Sequence, residues 1–230
     1  MLQDTLWRGF AATGYALVLA RRQRRIAGEA PASDHRGPDR RHETGHGSAC
    51  AAGEFAVASA AMSLHDATVP IFTKLLSNID KWLDKAAALA DAKKFDVNTL
   101  ATARLAPDQY PFVRQIQAAC DQAKFTAAKL TGKEAPSHPD TEKTIAEIRD
   151  RIHTVVAYLA TFKREDFNGA EERPCSHTWM GGKTLRGVDY LNHFALPNFY
   201  FHLTTAYDIL RHNGVDVGKM DYIVDLPFRA

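Results

Sequence analysis

The stretch Val69-Pro-Ile-Phe-Thr-Lys-Leu-Leu-Ser-Asn-Ile-Asp-Lys-Trp-Leu-Asp-Lys-Ala-Ala-Ala-Leu89 decides the architecture. Its apolar members Val69, Ile71, Phe72, Leu75, Leu76, Ile79, Trp82, Leu83, Ala86 and Leu89 recur at steps of three and four, so they gather on one side of a helix. Lys74, Asp80, Lys81, Asp84 and Lys85 supply the solvated side. Pro70 stands near the start, where a missing amide donor costs little because the first amides of a helix have no intrahelical partner. The spacing predicts one long amphipathic helix over 66–94.

Three more segments share that period. A second helix is predicted over 108–130, with Pro111 in its first turn, Gly132 just past its end, and Phe112, Ile116, Ala119, Cys120 and Ala127 turned inward. The linker before it, with Leu100, Leu105 and Pro107, has room for a short helical turn. Asp140 is the expected cap of a third helix, whose stripe is Ile145, Ile148, Ile152, Val155, Val156 and Leu159. Periodicity then lapses from Phe162 to Lys183, punctuated by Gly169, Pro174, Gly181 and Gly182, which leaves short strands or a folded loop over 174–185. The fourth helix is expected from Val188 to Arg211 or His212, stopped by Asn213 and Gly214. Pro197 should kink it, or split it so that Asn198 opens a second piece. The tail over 215–230 should pack back along the helices. Four helical segments with little strand pattern predict an all-α four-helix bundle over 62–230, long enough to bury roughly 70% of its extended surface.

Outside that section the composition changes. From Gly28 to Ala49 there is no large apolar residue, and the first 61 residues hold eight Arg and no Lys. Such a segment cannot bury enough to offset its ordering entropy, so residues 1–61 are expected to be a disordered or poorly packed leader. Met62 is a candidate for the true initiator. The alternative, an Arg-bearing arm on nucleic acid or an anionic surface, is weakened by Asp34, Asp39 and Glu43. The whole chain has 230 residues, 45% apolar and 24% charged, with a formal charge of +2. That supplies no large cationic field, so no nucleic-acid partner is expected.

The apolar run from Gly9 to Ala20 is only twelve residues long, too short to span a bilayer of roughly 20 residues' depth. The uncharged stretch from Tyr190 to Tyr207 carries Asn192, His193, Asn198, His202, Thr204 and Thr205, which suits a bundle interior better than lipid. No membrane is expected. The positive cluster follows the amino-terminal apolar run instead of preceding it, which is not signal-peptide order. Three cysteines without a Cys-x-x-Cys pair argue against a disulfide framework. A cytoplasmic location follows as the expectation.

The residues with chemical potential cluster on the last helix. Asn198 and His202 are four apart and share a side. If that side looks into the bundle, both reach one ligand or metal, with Asp121, Gln117 and Gln122 of the second helix as the nearest polar groups. The other reading makes Asn198 and His202 satisfied hydrogen-bonders inside the bundle. Asn is a poor ligand for zinc, whereas His with a carboxylate is acceptable. His193 joins only if the Pro197 distortion rotates it there. Tyr207 brings a hydroxyl at an imperfect five-residue offset. His177 could reach a pocket mouth from its loop, with a solvated imidazole as the alternative. Phe194, Phe199, Tyr200, Phe201 and Tyr207 cannot all face one way, so some must meet neighbouring helices or a second subunit. Cys120 reads as a small buried core residue. No His-Glu-x-x-His array, phosphate loop or dinucleotide fingerprint is present, and Gly181-Gly-Lys-Thr184 reads as a surface turn.

Met62-Ser-Leu-His-Asp-Ala-Thr-Val-Pro70, Ala103-Arg-Leu-Ala-Pro-Asp108 and, above all, Leu191-Asn-His-Phe-Ala-Leu-Pro-Asn-Phe-Tyr-Phe-His202 with Leu203-Thr-Thr-Ala-Tyr-Asp-Ile-Leu-Arg-His-Asn-Gly214 carry a family resemblance. Over 62–222 the chain resembles DUF1993, a bacterial family without an assigned reaction that is placed with the DinB-like (DinB/YfiT) metalloenzymes. The resemblance implies an up-and-down DinB-like four-helix bundle, often a homodimer. Its wider superfamily can bind a divalent metal through three histidines, two of them four apart on the last helix. His202 matches the second of that pair, Asn198 replaces the first, and Asp121 lies near the place of the helix-2 histidine. The three-histidine set is thus incomplete, and the thiol-transfer activities of some relatives do not carry over.

The leading expectation is a DinB-like protein with a small-molecule or divalent-metal pocket near His202. If it is catalytic, His202 is the base or metal ligand, Asp121 its carboxylate partner and second ligand, and Asn198 orients the substrate; His193, Gln117 and Tyr207 complete the pocket. The alternative is a noncatalytic homodimeric interaction or stress-response protein.

Overall fold

The computed structural model describes residues 62–223 and 225–228. The expectations for residues 1–61, including the leader and the Met62 start, lie outside the described residues. Helix α1 (Val69–Lys93) carries Pro70 in its first turn and buries Phe72, Leu76, Ile79, Trp82 and Leu83 completely. A 3-10 turn, Val97–Thr102, leads to α2 (Phe112–Thr131), which starts behind Pro111 and stops at Gly132, where φ is +73°. Helix α3 (Ile145–Leu159) opens on a capping box: the Thr144 hydroxyl accepts from the Glu147 amide while the Glu147 carboxylate accepts from the Thr144 amide. The cap is therefore Thr144 and not Asp140, because Asp140 is drawn to the guanidinium groups of Arg114 and Arg151.

The aperiodic segment contains two residue pairs in antiparallel register, β1 (Pro174–Cys175) and β2 (Leu185–Arg186). The last helical run is not split. Helix α4 (Gly187–Tyr190) passes through a single π-turn, Leu191–Ala195, into α5 (Leu196–His212), with Tyr190, Leu191 and Leu196 all in right-handed helical conformation. Pro197 lacks an amide hydrogen and its ring crowds the carbonyl four residues back; widening the preceding turn accommodates both effects. Gly187 is set against the loop so closely that a Cβ there would collide with the Ala170 carbonyl.

Side-chain pairs fix the helix directions. Arg164 bonds Asp66 and His65 packs on Phe167, so the start of α1 meets the chain just beyond α3. Lys133 reaches Asp166, so the end of α2 arrives there too. Helices α1 and α5 thus run one way, α2 and α3 the other. Helix α2 lies between α3 and α5, and α1 lies against α3 with its rings meeting α5, as in Phe72 on Phe199 at 4.6 Å. To keep α2 and α3 parallel, the linker 132–144 returns along the bundle. The short α6 (Lys219–Ile223) closes against α1, where the Asp221 carbonyl accepts from the Asn78 amide and, at 3.0 Å, from Trp82 Nε1. No described helix is long and apolar enough to cross a membrane.

Candidate functional site

Helix α2 buries polar residues on two different faces. Gln115, Gln122 and Thr126 turn toward α5, whereas Gln117 and Lys124 turn toward α3 and the returning linker. Gln115 and Gln122 are seven apart, two helical turns, which places both on one line. The α5 side meets them with His202 and Asn198.

His202 is held in a defined tautomer. Gln115 Nε2 donates to the Tyr110 carbonyl at 3.1 Å, and a carbonyl can only accept, so Gln115 Oε1 is the atom turned to His202 Nδ1 at 2.8 Å. That nitrogen must then carry the proton. Nε2 keeps its lone pair and has no hydrogen-bond partner among the described residues. Tyr110 lies parallel to the imidazole at 6.5 Å and is capped on the ring by the Arg114 guanidinium at 5.5 Å. Burial, reinforced by the positive Arg114, lowers the His202 pKa to about 4, so the ring is neutral near pH 7.

The second rung is Asn198, whose Nδ2 donates to Gln122 Oε1 at 2.7 Å. Gln122 Nε2 donates to Thr126 Oγ1 at 2.9 Å and to the Tyr190 hydroxyl at 3.3 Å; Tyr190 in turn lies 3.2 Å from His177 Nε2. Tyr190 is fully buried, which pushes its pKa up to about 12. A polar seam therefore runs along the α2–α5 interface and surfaces at His177.

The other expected residues lie elsewhere. Asp121 does not face His202: its Oδ1 accepts from Arg151 at 2.8 Å and from Lys124 at 2.9 Å, on the α3 side of α2. Gln117 is in the same cluster, donating to Glu142 at 2.6 Å and accepting from Arg114 at 2.8 Å. The pairing of His202 with Asp121, as base and partner or as two metal ligands, thus fails on geometry, because Asp121 is committed to two buried cations. His193 is exposed in the π-turn, and the Tyr207 hydroxyl donates to the Val217 carbonyl at 3.2 Å while its ring packs on Trp82. Cys120 is fully buried and its thiol is pushed up to about 12 by burial, the behaviour of a core residue. Gln115, which sequence reasoning passed over, is the residue that faces His202. Its seven-residue offset from Gln122 was the available signal.

A divalent metal fits the His202 surroundings poorly. The neighbours are two amides, a tyrosine ring and a guanidinium, and no group of three His, Cys, Asp or Glu suited to a metal occurs among the described residues.

Fold and seam together define a DinB-like all-α bundle. The chain is similar to the crystal structure of a DinB family member protein from Shewanella denitrificans, with a TM-score of 0.71 and 48% identity over 73% of this chain and 95% of that one. The family model described as Domain of unknown function (DUF1993) matches residues 64–223, and the chain belongs to that family. No functionally curated protein matches it.

Proposed function

We propose that this protein binds a small neutral molecule at the α2–α5 seam, through His202 and Asn198, and that it does so in the cytoplasm without a divalent metal. The observation that carries this reading is the tautomer set by Gln115, which leaves His202 Nε2 as a half-buried acceptor with no partner among the described residues. An acceptor of that kind suits a hydroxyl or amide N–H. An ammonium is disfavoured by Arg114, whose charge already depresses the imidazole pKa. If chemistry follows binding, a neutral imidazole with a free Nε2 is a general base, and Asn198 is the orienting amide.

Metal analysis and imidazole ¹⁵N spectra of the full chain test this reading. The expected result is substoichiometric metal, with His202 protonated at Nδ1 and its Nε2 resonance shifted by small alcohols or amides but not by ammonium compounds. One equivalent of metal, lost in His202→Ala, would overturn it.

A second reading has its own support. Phe201 is 55% and Tyr200 37% exposed on α5, an aromatic surface suited to a second copy of the chain in a noncatalytic homodimer. A sedimenting dimer that Phe201→Ser converts to monomer would favour it.

A further inference from the structure

At the opposite end of the seam from His202 lies an open cleft of about 470 Å³, lined by Phe125, Lys129, Ser176, His177, Thr178 and Gly182. Its size is within the range of about 300–1,000 Å³ usual for small-molecule sites. The buried polar chain behind it has a direction. Thr126 Oγ1 spends its proton on the Gln122 carbonyl at 2.6 Å, so it can only accept from Gln122 Nε2. This orients the Gln122 amide, whose Nε2 also donates to the Tyr190 oxygen. Gln122 Nε2 can only donate to the Tyr190 hydroxyl, which leaves the phenolic proton free to go to His177 Nε2, 3.2 Å away. In that arrangement His177 carries its own proton on Nδ1.

The rim adds charge and rings. Lys129 Nζ donates once, to the Ser176 carbonyl at 2.6 Å, and an ammonium has two further hydrogens. Phe125 is 37% exposed, and the buried Lys124 ammonium, paired with Asp121, lies 4.6 Å from its ring centre. The His177 ring stacks at 5.9 Å on Trp179, itself half exposed. No carboxylate is among the lining residues.

We propose that this cleft binds a small aromatic carboxylate, with His177 Nδ1–H and the Lys129 ammonium holding the carboxylate and Phe125 flanking the ring. Two donors, one of them a cation, beside an exposed ring match that class in both charge and shape. The His177 imidazole stays neutral near pH 7, because burial and Lys129 hold its pKa at about 4, so the tautomer set by Tyr190 persists there. Tyr190 is a positioning residue that acts through His177. The site is separate from the His202 rung and does not depend on a ligand there.

Benzoate is the probe, with benzyl alcohol and benzylamine as the uncharged and cationic comparators, titrated into the full chain and followed by His177 ¹⁵N shifts and Trp179 fluorescence. Benzoate should saturate the site and bind at least about tenfold more tightly than either comparator, as expected for a charge-assisted pair of donors. Lys129→Met should weaken benzoate by a similar factor and leave benzyl alcohol unchanged. Tyr190→Phe should release the His177 tautomer in the ¹⁵N spectrum and weaken benzoate, and His202→Ala should do neither. Absence of saturable benzoate binding, equal binding of benzylamine, or undiminished binding by Lys129→Met would overturn the proposal. The comparison of the three probes on the unmodified chain decides the matter even if a variant fails to fold.

Discussion

His202 and His177 share one tautomer yet show opposite faces to solvent and ligand. Gln115 takes the Nδ1 proton of His202 and leaves an acceptor, whereas Tyr190 fills the Nε2 lone pair of His177 and leaves a donor. Both rings are held at about 4, against an ordinary value of 6.5, first by burial and then by a neighbouring cation, Arg114 or Lys129. The unfolded chain therefore takes up these protons near pH 6.5 while the folded chain resists them until about 4. Stability should be unaffected by these groups above pH 6.5 and fall as the pH drops toward 4, a trend that thermal melts at stepped pH will show. His202→Gln with His177→Gln should reduce it, leaving the part due to His138, whose pKa burial and Lys124 also lower. Asp221, lowered mainly by its bond to Lys85, titrates below the usual carboxylate value of 3.8, so its loss belongs to a more acidic window.

At the level of elements, α2 organises the molecule by carrying two buried polar faces, one reading α5 and one reading α3. The last helix must present Asn198 and His202 to the first of these faces despite Pro197, and the π-turn at Leu191–Ala195 achieves this without breaking the helix. Its start is fixed by Gly187, which lies against the Ala170 carbonyl and near Leu130 of α2. Gly187→Ala should therefore destabilise the fold by about 1–3 kcal/mol, the usual cost of overpacking, measurable by urea denaturation. It should also disturb the Tyr190–His177 hydrogen bond three residues further on. An unchanged midpoint would show that the loop yields easily.

For the whole molecule, the parallel course of α2 and α3 depends on the returning linker, and the linker is pinned by charge. Arg151, only 3% exposed, bonds Asp121, Asp140 and Glu142 together, and Arg114 adds a second bond to Asp140. Removing one partner from a buried ionic cluster leaves the others desolvated and uncompensated. Arg151→Met should cost about 3–5 kcal/mol and open the linker 132–144 to limited proteolysis before the helices unfold. The same commitment explains why Asp121 cannot serve His202. A stable, protease-resistant Arg151→Met protein would refute this role for the cluster.

The four helices were legible because apolar spacing, Pro70, Gly132 and the Asn213-Gly214 stop are local signals, and most core residues read from them are buried, with Ile71, Leu89 and Val156 packed at the core's edge. The shared inward side of Asn198 and His202 was legible for the same reason, since four residues make nearly one turn. The partners of that side were not. Whether Asp121 or Gln115 meets His202 depends on the rotation of α2 against α5 and on a distant Arg151 that claims Asp121, and both are set by packing across the bundle. The cap at Thr144 was missed because Asp140 looked suitable locally and was taken by a tertiary ion pair. Sequence alone determined which faces are apolar and where the helices end, because those depend on neighbours within a turn or two. Tertiary structure decided the direction of α3, the tautomers of both histidines and the cleft at His177, because each rests on groups that packing brings together from far apart in the chain.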